Sequence, residues 1–223
     1  MGSQERREKE REEVRAKILD AARELFVTHG YEAVTMRKIA AKIDYTATAL
    51  YTHFADKEAL LLALCDADFL ALRHAFDRIA RIADPIERLR ALGRAYVAFA
   101  LEYPNHYKLM FMTRHPEKGA DRSKVQQGNP DQDAYAFLRE TIAEGLEAGR
   151  FREELDDADL LAQVVWSGVH GVVSLHLVKG DDPWLDWRPV EATAAVVIDV
   201  TIRGLLRERG WDDGGPGAED PAA

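Results

Sequence analysis

Two groups of side chains in this sequence have types and spacings that bear on chemistry, and neither is arranged for catalysis. The first is Ala47, Thr48, Tyr51, Thr52 and His53, a run of small, hydroxylated, aromatic and imidazole groups lying mostly away from the apolar pair Leu50 and Phe54. In a chain that is 31% charged, a solvated helix would more usually carry Glu and Lys at such positions. Uncharged, short side chains suit a helix lying in a DNA major groove, where the backbone must approach the base edges. A short core helix with an uncommitted surface has the same pattern. The second group is Trp166 and His170, four apart on one helix face, with Gly168 and Gly171 allowing a neighbouring helix to come close. Tyr107, Met110 and Phe111 form an apolar face at i, i+3 and i+4 in NHYKLMFM, and Phe99 lies shortly before. Together these six residues fit an apolar small-molecule pocket with a few polar atoms, and equally a core Trp with a hydrogen-bonded core His.

Catalytic and metal chemistry finds no purchase. There is no G-x-S-x-G, no H-E-x-x-H, no phosphate loop and no Cys/His pair in a workable order. His170 and His176 are six apart and fall on different helix faces, so no metal pair is expected, and no cofactor. An all-α enzyme or a protein-interaction module retaining a vestigial helix-turn-helix stays as the alternative.

The first group requires three short helices to hold it. Ile18, Ala22, Leu25 and Phe26 make one apolar face, and Gly30 is a natural stop. Met36, Ile39, Ala40 and Ile43 make the next, with Thr35 as N-cap and Lys38 where a capping box would place an acid. Ile43-Asp44-Tyr45 turns the chain, and Asp44 occupies a position expected to be left-handed. Thr46 caps the second helix of the pair. Asp56 caps the helix after it, which is predicted to run to about Ala83 with apolar residues on more than one face, so that its start serves the head and its end a second domain.

The stretch Ile18–Leu64 resembles the N-terminal domain of the tetracycline-repressor (TetR) family. The resemblance is carried by A-x-x-L-F at Ala22–Phe26, H-G-Y at His29–Tyr31, T-M-R-x-I-A at Thr35–Ala40, A-L-Y-x-H-F at Ala49–Phe54 and D-K-E-A-L at Asp56–Leu60. Asp44 departs from the family's usual Gly, and Ala55 from Pro or a charged residue. The resemblance implies that Thr35, Tyr51, His53 and Lys57 hold DNA phosphates. It also places Arg37, Ala47, Thr48 and Thr52 at base edges, beside the cap Thr46. WSGVHG at Trp166–Gly171 resembles a TetR subgroup with a Trp, His, Gly signature. The implied fold is all-α, a three-helix head on a larger helical domain for effector binding and dimerisation. The implied partners are a palindromic double-stranded operator, a small effector and a second copy of the chain.

The rest of the chain accords with that division: a charged arm over 1–13, a head over 14–60, a helical domain over 61–209 and a tail over 210–223 expected to be disordered. In the arm, Arg6, Arg7, Lys9 and Arg11 are placed to touch phosphates, although a solvated charged run reads the same way. Residues 1–60 hold eleven basic and eleven acidic residues, so the net charge of −9 belongs to residues 61–223. Phosphate affinity depends on local cations, so the total does not exclude DNA. Further helices are expected from Pro85 to about Tyr103, from Pro104, over Asp131–Gly149, from Asp156/Asp157 to near Gly180, and over Val190–Glu208. Residues 114–130 read as a polar loop. Ala195, Val196, Val197, Ile198 and Val200 spread over more than one side of the last helix, which implies either a dimer partner, met through Val197 and Val200, or a fully internal helix. By resemblance the last two helices pair across a two-fold axis. One cysteine, Cys65 among leucines, reads as a small buried hydrophobe. No signal peptide and no apolar run of membrane-span length is evident, which points to the cytoplasm.

Overall fold

The computed structural model describes residues 2–113, 123 and 125–207. Among these residues the helices in chain order are α1 (Ser3–His29), α2 (Met36–Lys42), α3 (Ala47–Tyr51), α4 (Lys57–His74), α5 (Pro85–Glu102), α6 (Pro104–Met112), α7 (Ala134–Glu147), α8 (Ala158–Lys179) and α9 (Val190–Leu205). The one strand-like pairing among them is an antiparallel bridge between Phe151 and Leu206. The tail over 210–223 and most of the 114–130 loop lie outside the described residues.

Two apolar cores divide the molecule. Ile18, Phe26, Ile39, Leu50 and Phe54 form the head's core, and Leu60, Leu61 and Leu64 of α4 join it. Leu72 and Phe76 belong instead to the body's core with α5, α7, α8 and α9. The division therefore falls inside α4, which enters the head with its first two turns and the body with its end. A second element crosses the junction: Leu109 of α6 is fully buried in the head's core, while Tyr107 and Met110 of the same helix belong to the body.

Local chemistry sets most boundaries. The side chains of Thr35, Thr46, Asp56, Asp84 and Asp157 each accept a backbone N–H at the start of a helix. Pro85 and Pro104 stand in first turns, where their missing N–H is not needed. Two expectations need correction, the end of α4 and the apolar length of α8. The helix expected to reach Ala83 ends at His74, where the hydrogen bonds tighten to i→i−3 (Phe76 N to Arg73 O, 2.9 Å; Asp77 N to His74 O, 3.1 Å) and return Phe76 to the core. A 3-10 turn, Ile79–Arg81, follows. The charged arm is a continuation of α1 back to Ser3, with Arg6–Glu10 and Lys9–Glu13 as exposed i,i+4 pairs. Finally, α8 is long and apolar enough by composition to cross a membrane, contrary to the sequence reading. Here it packs against α5, α7 and α9 in the body.

Candidate DNA-facing surface and body cavity

The turn between α2 and α3 carries the first candidate site. Asp44 has φ 58°, the left-handed value expected, and Tyr45 N donates to Ala40 O at 2.9 Å to close the turn. Thr35 Oγ1 accepts from Lys38 N, and Thr46 Oγ1 from Ala49 N, each at 3.2 Å. With Leu50 and Phe54 buried, α3 turns Thr48, Tyr51 and Thr52 outward, and Thr35, Arg37 and Thr46 are exposed as well. Ala47 and His53 are half-buried. The Thr52 hydroxyl donates to Ala49 O at 2.6 Å, which leaves its lone pairs to accept. Among the described residues no carboxylate lies within ion-pairing distance of Arg37, so its planar fork of donors is uncommitted.

Two residues of this group carry more structural duty than their sequence positions suggest. Lys57 Nζ donates to Tyr31 O (2.9 Å) and Val34 O (3.1 Å) and sits 4.0 Å from the centroid of the Tyr31 ring. One of its three N–H groups remains for a phosphate. His53 borders a cleft lined by Glu8, Arg11, Glu12 and Arg15 of α1, and the Arg15 guanidinium lies 4.4 Å from the centroid of the Phe54 ring. Burial, followed by Arg11 and Arg15, lowers the His53 pKa, so the imidazole is neutral at neutral pH.

The second site is a cavity of about 140 Å³ in the body. Its deeper wall is Leu72, Leu92, Gly93, Val165 and Val169, and its half-buried wall includes Phe69, Phe111, Tyr135 and Trp166. Phe111 and Trp166 of the expected six line it. Tyr107 and His170 stand behind it, in a hydrogen-bond chain. Trp166 Nε1 donates to Tyr96 Oη at 3.1 Å, and the hydroxyls of Tyr96 and Tyr107 converge on His170 Nδ1 at 3.0 and 2.7 Å. Burial pushes Tyr96 up to about 12, raises Tyr107 as well, and lowers His170. All three are therefore neutral at neutral pH, and an imidazole protonated on Nε2 leaves Nδ1 as the acceptor. Phe99 and Met110 do not line the cavity; Phe99 packs its ring against Tyr103 and His106 at 5.3 and 6.4 Å. Sequence reasoning did not identify Tyr96, Tyr135 or Asp133 at this site.

The buried group that joins head and body was also not anticipated. Arg23 of α1 binds Asp68 of α4 in a bidentate pair, and His106 Nδ1 of α6 lies 2.9 Å from the same carboxylate. An aspartate inside the apolar run LLALCDADFL was its one sequence signal. Cys65 beside it is half-buried, and burial pushes its thiol up to about 12, consistent with a small protonated core side chain.

On the far side of the body, α8 exposes Leu160, Val164, Leu175 and Val178 along one stripe, and α9 exposes Val196 and Val200. Val197 turns inward, where its Cγ1 lies 3.1 Å from the position a Cβ on Gly168 would take. Of the two valines expected at a dimer contact, Val200 stands on this open face, and Val197 packs α9 against α8.

Residues 18–64 match the model of the bacterial regulatory proteins of the tetR family, and residues 89–201 match a tetracyclin repressor-like C-terminal domain. The chain is 29% identical over 147 residues to the transcriptional repressor KstR2 of Mycobacterium tuberculosis, covering 64% of this chain and 71% of that one. It is 43% identical over 54 residues to the repressor AcnR of Corynebacterium diphtheriae, a stretch of 24% of this chain and only 28% of AcnR. Among solved structures, the TetR family regulator PfmR from Thermus thermophilus superposes with a TM-score of 0.67 at 26% identity, over 85% of this chain and 99% of that one. SmeT, the repressor of the Stenotrophomonas maltophilia multidrug efflux pump SmeDEF, shares the fold with a TM-score of 0.64 at 23% identity, over 93% and 97% of the two chains.

Proposed function

Since this chain belongs to the tetR family of bacterial regulatory proteins, and is thereby a DNA-binding regulator rather than an enzyme, we propose that it acts in the cytoplasm as a homodimeric repressor released from a palindromic operator by a small apolar, aromatic effector. The observation that carries this reading is the set of exposed, uncharged side chains of α3 beside the uncommitted Arg37, on a head whose caps and turn are all formed. Arg37, Ala47, Thr48 and Thr52 read base edges, and Thr35, Thr46, Tyr51, His53 and Lys57 hold the backbone. The open faces of α8 and α9, with Val200 among them, pair two copies so that the two heads meet successive turns of one DNA groove. The repressor names of KstR2 and AcnR support repression as the mode.

Release is a population shift. The cavity borders both elements that cross the junction, α4 through Phe69 and Leu72 and α6 through Phe111. A ligand that prefers one placement of these helices biases the spacing of the heads. Trp166→Ala should leave operator affinity near wild type and abolish ligand-driven release. The test is selection of DNA from a randomised duplex pool, followed by anisotropy titration of the selected duplex. Salt-dependent binding of two copies to a symmetric site is expected. Absence of any selected sequence, or a single copy bound per site, would overturn the proposal.

A further inference from the structure

The two sides of the first turns of α1 treat their charges differently. Arg6 and Lys9 pair with Glu10 and Glu13 on the side away from α3. On the opposite side Glu8, Arg11, Glu12 and Arg15, at helical spacings of three and four, line a cleft of about 300 Å³ together with His53. Opposite charges so spaced can pair along a helix, yet among the described residues neither Arg11 nor Arg15 has an ion-pair or hydrogen-bond partner. Arg15 is steadied by the buried Phe54 ring, 4.4 Å from its guanidinium. Two guanidinium forks therefore remain uncommitted in one cleft.

The other wall of the cleft is the half-buried His53, which directly follows the exposed Tyr51 and Thr52 at the DNA-facing end of α3. The charges that act on its ring are Arg11, then Arg15, and in the opposite sense Glu12, so the arginines prevail there. The charged groups at the start of α4 are committed elsewhere, Asp56 to Ala59 N and Lys57 to Tyr31 O and Val34 O. The four side chains of α1 sum to zero, so the cleft is neutral with a neutral imidazole and gains one positive charge with an imidazolium. Among the described residues no group of His, Cys, Asp and Glu could hold a metal ion. Two free planar forks beside a protonatable ring match the oxygens of a phosphate instead.

We propose that this cleft seats one phosphate of the operator backbone, held by Arg11 and Arg15 of α1 and by a protonated His53, so that each head takes up one proton as it binds DNA. This rests on the reading of α3 as the DNA-facing helix, and it adds α1 to the contact and a proton to the balance. The phosphate charge offsets the two arginines that oppose protonation, and the imidazolium in turn donates an N–H to a phosphate oxygen. The proton comes from solvent, so binding strengthens as pH falls.

Anisotropy titration of the full chain with its selected duplex, between about pH 8 and 6 at fixed ionic strength, tests the seat. Affinity should rise as pH falls, by up to about tenfold per head for each pH unit. His53→Gln, which keeps a hydrogen-bonding side chain, should flatten this profile. Arg11→Ala, at an exposed position, should lower the salt slope by about 1 per head. A flat wild-type profile overturns the proposal, as does a His53→Gln profile as steep as wild type or an unchanged salt slope in Arg11→Ala. Each of these results leaves the α2–α3 surface standing as the DNA reader, whereas a wild-type protein that binds no duplex removes that reading and the proposal together. Inorganic phosphate should displace the duplex no better than chloride at equal ionic strength. Stronger displacement by phosphate in wild type but not in Arg11→Ala would assign the cleft to a free anion and overturn the backbone contact.

Discussion

Asp68 is 1% exposed, and its two oxygens take the Arg23 guanidinium in a fork, Nη2 to Oδ1 at 2.7 Å and Nε to Oδ2 at 3.1 Å. Arg23 belongs to the head, Asp68 to the helix that leaves it, and His106 on the same carboxylate to α6. The three helices that meet at the junction thus share one buried charge.

Arg23→Ala should destabilise the fold by about 3–5 kcal/mol, because it leaves the carboxylate buried with only His106 beside it. Replacing both partners, Arg23→Met with Asp68→Leu, should cost less than the single change. Urea denaturation of the three proteins checks this; an Arg23→Ala variant as stable as wild type would show that the pair is dispensable.

Lys57 and Arg37 should separate in DNA binding. Lys57→Ala should weaken all operators similarly and lower the salt slope by about 1, with a loss of thermal stability as well, since Val34 O loses the ammonium donor and Tyr31 O keeps only the Val34 N–H. Arg37→Ala should cost about 1–3 kcal/mol at one position of each half-site and leave stability unchanged. Titrations at several salt concentrations on single-base operator variants distinguish the two; a uniform loss for Arg37→Ala would move it to the phosphate class.

Val200, 63% exposed, and Val197, packed on Gly168, should respond differently to a carboxylate. Val200→Asp should yield a folded monomer by sedimentation, because the charge disrupts only the paired state. Val197→Asp should unfold the α8–α9 contact itself, burying an unpaired charge. A Val200→Asp protein that remains dimeric would remove α9 from the interface.

His170 should make the body acid-sensitive. Its folded pKa is lowered by burial, so the unfolded chain takes up the proton first as pH falls. Stability is full above the ordinary imidazole value of 6.5 and is lost as pH drops from there through the lower folded value. His170→Gln keeps an acceptor for the tyrosine hydroxyls and should flatten this dependence. Melting curves between about pH 7 and 5 check it; parallel profiles for the two proteins would count against the hydrogen-bond chain.

What was legible in the sequence was local. Thr35, Thr46 and Asp56 as caps, Asp44 as the left-handed turn residue, and Leu50 with Phe54 as anchors each depend on chain within a few residues, and all appear as expected. What escaped depends on distant chain. Lys57 finds its acceptors 23 and 26 residues earlier, and Arg23 finds Asp68 45 residues later. The aromatic stretch NHYKLMFM was expected to form one wall of a pocket, yet its residues divide three ways: Leu109 to the head, Tyr107 to the His170 chain, Phe111 to the cavity. A helical period locates a face but does not say what will cover it. The end of α4 was missed for a related reason: the apolar residues continue past His74, and only the return of Phe76 to the core tightens the backbone.

Gly93 lines the cavity on one side, and on the other a Cβ there would come within 2.9 Å of Ile198 on α9. The partition between the space for a ligand and a helix of the pairing face is thus a single residue without a side chain. In the proposed dimer, an occupant that presses outward at this point would press on α9, the helix whose exposed Val196 and Val200 are proposed to meet the second copy. On that proposal the two cavities of a dimer are not independent vessels, and filling one should alter the shape of the other. Ligand uptake by the assembled pair is accordingly expected to follow a binding curve with a Hill coefficient different from one, and uptake by a Val200→Asp monomer a simple hyperbola.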